Sequence, residues 1–397
     1  MKIDEAYSIL RKCPYYFTEQ DNLEFDTSMK LYNSNITLAA EWIIRYKSVP
    51  PEVLLHDPNI LLTYDSKTIS MIWIETCHTK PPKELMCKPE IQDGRSEMTC
   101  AMYYIRYCKG LVPQELIHSP TIRCRYFNDT CAMNWIKERK SMPQKELLHD
   151  PSLKDDNGMT CAMLWISLLK TLPPKELLHD PSLKDGRGMT CAMIWIKELK
   201  SLPPKELLHD PSIKDPKGMT CAMLWISLLK TLPPKELLHD PSIQDNYGMT
   251  CAMHYINYCK CVPPKELMHS PEIQNLDKET CAMMWIKELK SLPPKDLLHD
   301  PSIATYNGRT CAMIWINLLK TLPPKELIHD PSIQDNSGMT CAMHCIENLH
   351  KEPPKELLHK ANIQDSRGMT CAMYYIDNLH FIKHAFWPAD LILIKEY

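Results

Sequence analysis

The apolar and polar residues of this chain follow one order that recurs every 30 residues over most of its length. In the copy that begins at residue 185, a threonine opens a stretch whose apolar positions fall three and four residues apart, which is helical spacing. Thr190 suits the N-terminal cap of that helix, and Pro203 and Pro204 stop it because proline cannot continue an α-helix. The pattern therefore predicts one helix per unit, running in this copy to about Lys200.

A second, shorter helix is predicted after the proline pair, over the two turns of Lys-Glu-Leu-Leu-His at residues 205–209. An Asp-x-x-Gly turn precedes the helix-opening threonine, with Gly188 at the position that favours a positive φ. Asn128 replaces this glycine in one copy and tolerates a positive φ, but Lys278 does not, so we expect the turn before Thr280 to differ. Each unit thus consists of a turn, a helix, a bend, a short helix and a return loop.

Twelve copies of the unit align on the helix-opening threonine. They begin at Thr37, Thr68, Thr99, Thr130, Thr160, Thr190, Thr220, Thr250, Thr280, Thr310, Thr340 and Thr370. A fixed period between about 20 and 50 residues is typical of proteins in which each unit buries its apolar face against its neighbours. We therefore predict an all-α solenoid over residues 35–380, with an atypical N-terminal cap at 1–34 and a C-terminal cap at 381–397.

The unit resembles the ankyrin repeat. An Asp-x-x-Gly-x-Thr turn precedes two antiparallel helices, and the strings GMTCAM, PPKELL and HDPSIQD resemble divergent ankyrin arrays of protist proteins. The unit departs from the family in its length of 30 rather than about 33 residues, in Thr-Cys-Ala-Met for Thr-Pro-Leu-His, and in the loss of the Gly-His between the helices. The resemblance covers residues 35–380 and implies stacked helix pairs with projecting turns and a concave protein-binding face.

Composition and charge exclude several classes of protein. The 397 residues are 44% hydrophobic and 24% charged with a net charge of −3, which excludes a disordered tail protein and a polybasic nucleic-acid binder. Charged residues interrupt the start of the chain, whereas a signal peptide has an uninterrupted apolar run there. No apolar run in the sequence reaches the roughly 20 residues that span a bilayer. We expect a protein of the cytoplasm or nucleus that neither enters membranes nor binds nucleic acid.

Two columns of the repeat carry reactive side chains. A cysteine opens the first helix in ten copies, and we interpret it as a small buried apolar residue that forms no disulfide, because neighbouring helices lie too far apart. A histidine ends the short helix, where it is interpreted as a C-terminal cap rather than a pH sensor. Two further groups, neither with a zinc-ligand spacing, are Cys251, His254, Cys259 and Cys261, and Cys341, His344, Cys345 and His350. We expect no metal and no cofactor.

Catalytic motifs are missing from the sequence. It contains no Gly-rich phosphate loop, no G-x-S-x-G elbow and no H-E-x-x-H. Acidic side chains such as Glu206 recur uniformly from copy to copy, whereas an enzyme normally needs one asymmetric pocket. We therefore expect a protein that is not an enzyme.

Variation is concentrated at the turn tips and at the helix position after Ala-Met, two sets that the ankyrin resemblance places on the binding face. Because tyrosine and arginine are frequent anchors of protein interfaces, we predict contacts from members of both sets. These are Arg187, Lys217, Tyr247, Tyr306 and Arg367 at the tips, and His254, His344 and Tyr374 on the helices. The predicted function is a noncatalytic scaffold or adaptor that binds other proteins. A structural spacer or tether stays open as the alternative, favoured by the near-identical copies at 171–184 and 231–243.

Overall fold

A computed structural model of the chain describes residues 37–62, 66–360 and 362–379. In these residues twelve α-helices alternate with short 3-10 turns, and β-structure is limited to isolated bridges. The all-α repeat architecture predicted from the 30-residue period is confirmed. The predicted caps at 1–34 and 381–397 lie outside the described residues and stay predictions.

The described repeats fall into two compact groups, called the first and the second unit from here on, which divide near residues 200–208. The first unit contains α1 (Leu38–Tyr46), α2 (Ile69–Cys77), α3 (Cys100–Tyr107), α4 (Cys131–Arg139), α5 (Cys161–Leu169) and α6 (Cys191–Leu199). The second contains α7 (Cys221–Leu229), α8 (Cys251–Cys259), α9 (Cys281–Leu289), α10 (Cys311–Leu319), α11 (Cys341–Leu349) and α12 (Cys371–Leu379). Within each unit every helix packs against the next one.

The helix boundaries follow from the capping residues. At the start of α8, the Thr250 hydroxyl accepts a hydrogen bond from the Met253 N–H at 3.3 Å, which satisfies one of the free donors of the first turn. At its end, Lys260 adopts a left-handed conformation with φ 54°, and its N–H donates to the Ile256 carbonyl. The predicted end of the helix near Lys200 is correct to one residue, because α6 ends at Leu199.

The prediction of a two-turn second helix is wrong. The Lys-Glu-Leu stretch forms a single 3-10 turn, as in Lys235–Leu237, which buries Leu237. Leu238 is already extended, with φ −72° and ψ 146°. The physical reason is the following histidine: only an extended chain carries His239 back to Thr220 at the start of the same repeat, where the two side chains are 2.7 Å apart.

The core of each repeat lies between its helix and its 3-10 turn. In α10, Met313 and Ile316 are fully buried and pack with Leu327 of the following turn. The aromatic residue of the helix has a second role, because the Trp315 indole N–H donates to the Thr321 hydroxyl at 2.9 Å. The indole thereby holds the bend that follows the helix.

A threonine, a histidine and a cysteine join consecutive repeats. His239 Nε2 lies 2.7 Å from Thr220 Oγ1 of its own repeat and 3.5 Å from Cys251 Sγ of the next. Because Nδ1 donates to the Asp240 carbonyl at 2.7 Å, Nε2 is the unprotonated nitrogen and accepts the threonine proton. The interpretation of this histidine as a helix cap is therefore wrong, since it bridges two repeats.

We call this arrangement the Thr-His-Cys bridge. Its histidine-to-cysteine contact, at 3.0 to 3.7 Å, recurs at His118 and Cys131, His149 and Cys161, His179 and Cys191, His209 and Cys221, His269 and Cys281, His299 and Cys311, His329 and Cys341, and His359 and Cys371. Burial lowers the pKa of the histidine in several copies, among them His118, His149, His239, His269 and His329. Burial also raises the pKa of the cysteine thiol, to about 12 for Cys251. In these five copies both groups of the bridge are therefore neutral near pH 7.

Within the described residues, no helix has the length and apolar character needed to cross a lipid bilayer.

Acidification is expected to destabilise the fold through the bridge histidines. The pKa of a histidine is about 6.5 in the unfolded chain, and burial lowers it in the folded chain at the five named positions, so the unfolded state binds more protons in this interval. The free energy of unfolding should be constant above about pH 7 and fall as the pH drops through about 6.5 towards the folded pKa. Urea unfolding midpoints measured between about pH 8 and pH 5 test this expectation.

The variant His239→Ala should lower the free energy of unfolding of the second unit by about 1–3 kcal/mol at about pH 8, because a buried hydrogen-bonding partner of Thr220 is removed. It should also weaken the dependence on pH. A wild-type midpoint that stays constant over the whole pH range would contradict a neutral buried bridge.

Candidate partner-binding surface

An aspartate organises most of the projecting turns. The Asp185 carboxylate accepts hydrogen bonds from the backbone N–H of Arg187 at 2.9 Å and of Met189 at 2.7 Å. The Asp185 N–H donates to the Met189 carbonyl at 2.8 Å, which closes the loop on itself. The two residues after the aspartate, Gly186 and Arg187, are exposed at the tip.

The tips of consecutive repeats are joined by backbone hydrogen bonds. In the second unit the Tyr306 N–H donates to the Asp277 carbonyl at 2.9 Å, and equivalent bonds link the other tips of the unit. The contact is so close that a Cβ atom on Gly248, where φ is +74°, would lie 2.8 Å from the Asn275 Cα. This tip ladder fixes the spacing of the tips, so that repeats differ at this edge mainly in their side chains.

The prediction that the turn before Thr280 differs is wrong. Lys278 adopts φ +57°, and its N–H donates to the Asn275 carbonyl at 2.9 Å, as glycine does elsewhere. The Asn275 side chain replaces the usual aspartate and accepts from the Glu279 N–H at 2.8 Å. These bonds and the tip ladder outweigh the left-handed strain of about 1–2 kcal/mol on a lysine.

The structure exposes the tip residues predicted as contacts, which are Arg187, Lys217, Tyr247, Tyr306 and Arg367. The two tyrosines are the most prominent, with exposed fractions of 63% for Tyr247 and 69% for Tyr306. Arg367 differs, because its guanidinium donates to Asp365 Oδ2 at 3.1 Å and to the Tyr374 hydroxyl. Exposed tyrosines with fixed spacing are therefore the main feature of the tips.

The three helix residues predicted as contacts are buried. His254 Nε2 lies 2.9 Å from a carboxylate oxygen of Asp245, the aspartate of the preceding turn. The same bond joins His344 to Asp335 at 3.0 Å and the Tyr374 hydroxyl to Asp365 at 2.8 Å. Burial raises the pKa of Asp245, but the bonds to His254 and to the Met249 N–H more than offset it, so the net pKa is lowered. These side chains fasten turn to helix, and their contact with a partner stays a prediction.

A groove of about 430 Å³ lies beside the Tyr306 tip in the second unit. Its walls include Tyr306, Arg309 and Leu318 of one repeat and Asp277, Glu279 and Lys287 of the preceding repeat. We call it the Tyr306 groove. Leu318 is 47% exposed and provides an apolar surface between the two charged walls.

The charges of the Tyr306 groove are of both signs. Lys287 forms an ion pair with Glu279, and partial burial lowers the pKa of Lys287 although Asp277 opposes that shift. Arg309 lies 3.8 Å from Asp335, a carboxylate that also binds His344, and its side chain is half exposed. The groove therefore presents a guanidinium 3.8 Å from its acidic neighbour, next to an exposed leucine and an exposed tyrosine.

Sequence reasoning identified Tyr306 but missed Arg309 and Leu318 as parts of the same site. A signal was present at Arg309, because most copies carry a methionine directly before the helix-opening threonine. Thr305 likewise replaces the turn aspartate in this copy. Leu318 matches Leu168 and Leu228 in the repeat, so its position beside a groove follows only from the three-dimensional arrangement.

A second groove, of about 260 Å³, lies in the first unit. Its polar groups mostly bind each other: Lys67 pairs with Glu75 at 2.7 Å, and the Tyr107 hydroxyl donates to the same carboxylate at 3.3 Å. It is therefore a weaker candidate for a binding site than the Tyr306 groove.

The reactive side chains are arranged as structural groups. Across residues 37–62, 66–360 and 362–379, no three of the histidine, cysteine and acidic residues are placed to hold a metal ion. The cysteine and histidine of the Thr-His-Cys bridge lie at a distance that would suit a nucleophile and its base. However, burial raises the thiol pKa to about 12, which is the opposite of what activates a cysteine.

Comparison with known proteins finds one kind of similarity, to a solved structure. No protein-family model matches the chain, and no curated protein matches it. Among solved structures it is similar to the ankyrin repeat domain of Bcl-3, a member of the IkappaB protein family, with 14% identity and a TM-score of 0.21, over 62% of this chain and 90% of that one. The regular 30-residue period, the capped helix and the projecting turn of the described repeats support a divergent ankyrin-type helical repeat protein.

Glycine at the turn is expected to matter most where a neighbouring tip covers it. Gly248→Ala places a Cβ against the Asn275 backbone and strains a positive φ, whereas Gly368→Ala has φ +79° but nothing within 4 Å of its Cβ. We expect Gly368→Ala to cost about 1 kcal/mol of unfolding free energy and Gly248→Ala at least about 2 kcal/mol. Chemical denaturation of the two variants measures the difference, and equal costs would show that the tip ladder adds no constraint.

Proposed function

We propose that this protein is a noncatalytic scaffold that binds other proteins, with the Tyr306 groove as its principal contact. The observation that carries the proposal is that several unusual features occur in the same repeat. The copy that departs from the repeat at Thr305 and Arg309 also carries the most exposed tip tyrosine, Tyr306, and borders the larger groove.

The chemistry of the groove suits a short segment of a partner protein. Tyrosine and arginine are the side chains most often found at energetic hot spots of interfaces, usually around an apolar centre. Tyr306, Arg309 and Leu318 supply these three components within one repeat. We infer that the bound segment carries an apolar side chain over Leu318 and a carboxylate towards Arg309.

A structural spacer is the second candidate function. It is supported by the near identity of copies such as 171–184 and 231–243, since copies that bind different features usually differ. The Thr-His-Cys bridge and the tip ladder also give most junctions the same contacts, which suits a spacer of defined length.

Substitutions in the Tyr306 groove should weaken a partner that is identified by affinity capture from the source cell and then purified. Tyr306→Ala is expected to lower affinity by about 2 kcal/mol and Leu318→Ala by about 1–2 kcal/mol, because exposed anchors lose their contact area. Adding Tyr247→Ala to Tyr306→Ala tests whether a second tip contributes. Isothermal titration calorimetry gives the affinities.

Leu228→Ala is the matched control, because Leu228 has the same position in α7 and is 40% exposed but does not line the groove. All these variants should change the unfolding free energy by less than about 0.5 kcal/mol. Unchanged affinity in both Tyr306→Ala and Leu318→Ala would remove the groove from the interface.

Deleting two repeats separates the scaffold from the spacer. Removal of residues 161–220 joins Thr160 to Cys221, and removal of 281–340 joins Thr280 to Cys341, so that both deletions keep the repeat in register. A scaffold should lose its partner only in the second deletion, which removes Tyr306, Arg309 and Leu318. A spacer should respond equally to both, with function kept at a shorter reach.

A further inference from the structure

One repeat replaces the histidine of the Thr-His-Cys bridge by a cysteine. The histidine column contains His56, His118, His149, His179, His209, His239, His269, His299, His329 and His359, and position 87 in the same column is Cys87. The next repeat keeps its column cysteine, Cys100. Two thiols therefore meet where a histidine and a thiol meet elsewhere.

The geometry of this pair is that of the bridge. Cys87 Sγ lies 3.4 Å from Cys100 Sγ, and the two residues are 13 positions apart, like His118 and Cys131 at 3.3 Å. The Thr68 hydroxyl donates to Cys87 Sγ at 3.4 Å, as a threonine hydroxyl donates to the histidine in other repeats. Both cysteines are buried, with exposed fractions of 4% and 0%.

The two sulfurs are close enough to bond after a small movement. A disulfide has a sulfur–sulfur distance of about 2.05 Å, so the pair must approach by about 1.4 Å. Cys87 lies in the return loop that follows the 3-10 turn Lys83–Leu85, whereas Cys100 is fixed as the first residue of α3. The movement therefore falls on the loop rather than on the helix.

The surroundings also favour Cys87 as the attacking thiol. The hydrogen bond with Cys100 lowers the pKa of Cys87 to about 6 against the opposing effect of burial, and the hydroxyls of Ser70 and Thr68 act in the same direction as that bond. The pKa of Cys100 is raised, mainly by its partner Cys87 and by burial. Elsewhere in the column the thiols have only a raised pKa, as at Cys131.

We propose that Cys87 and Cys100 are a redox modification site that forms a reversible disulfide with a small-molecule disulfide such as oxidised glutathione. The Cys87 thiolate attacks one sulfur of the oxidant, which forms a mixed disulfide and releases one glutathione thiolate. Cys100 then loses its proton and attacks Cys87 Sγ, which forms the intramolecular bond and releases the second glutathione. Two protein thiols are oxidised and one glutathione disulfide is reduced to two thiols.

The bond would close a loop around the turn at residues 93–98 and tie the return loop of one repeat to the first residue of α3. Because cross-links restrict the unfolded chain, oxidation should stabilise this junction of the first unit. The other junctions, where histidine occupies the column, would not respond. Among the described repeats, this would be the one junction where a cysteine replaces the bridge histidine and responds to oxidant.

Peptide mapping of the full-length protein tests the site. The chain is reduced, exposed to excess oxidised glutathione, blocked with iodoacetamide in denaturant and digested with trypsin. Trypsin cuts after Arg95, which separates the two cysteines, and does not cut well at Lys88 before Pro89, so they fall in the peptides 84–95 and 96–106, each with one cysteine. We expect most of both peptides to appear as one linked species that dithiothreitol removes, together with a reversible rise in the thermal unfolding midpoint.

Cys87→His is the matched control, because it restores the residue that the other repeats use. It should fold, shown by an unchanged circular dichroism spectrum, and should show neither the linked peptide nor the glutathione-dependent midpoint shift. If that variant does not fold, the peptide map of the wild-type protein alone still tests whether the disulfide forms. Free thiols at both positions under excess oxidant, a mixed disulfide that stays on Cys87, or a link from Cys87 to another cysteine would each overturn it.

Discussion

In most of the described repeats, a histidine both of whose ring nitrogens are occupied holds the repeat to the next one. Nδ1 donates to the carbonyl of the following residue, as in His239 and Asp240, which leaves Nε2 to accept from a threonine that also caps the helix. The thiol of the next repeat completes the contact. Since the threonine sets the start of the helix and the histidine sets the path of the return loop, this one ring determines both ends of the repeat and its junction.

Because of that junction, one set of residues in the repeat holds the fold together and another set can vary. The bridge and the tip ladder use backbone groups and column residues that hardly change from copy to copy, so the tips have fixed positions whatever side chains they carry. Tyr306 and Arg309 occupy such positions without disturbing the hydrogen bonds beneath them. Side chains of the second set, such as His254, instead reach inward to the turn aspartate and strengthen the frame.

Local signals predicted the parts of the fold that depend on local chemistry. The capping threonine, the proline pair and the helical spacing give the end of α6 to within one residue, and the exposed tips follow from their turn position. The single 3-10 turn was missed because its end is set by a histidine bond to a threonine 19 residues earlier. Lys278 was misjudged for a related reason, since contacts with the neighbouring tip compensate its strained φ. The burial of His254 and the grouping of Leu318 with Arg309 likewise depend on which residues meet in space.

The tip ladder has a consequence for how such a chain changes over generations. Because any residue other than proline at the tip can donate its backbone N–H to the preceding tip, a gene that gains or loses whole 30-residue copies creates no new kind of junction. The number of copies can then change while the hydrogen bonds between neighbouring copies stay the same. A gain that moves a larger residue to the position of Gly248 would instead add left-handed strain and crowd the neighbouring tip, so the tip ladder favours gains and losses of whole copies.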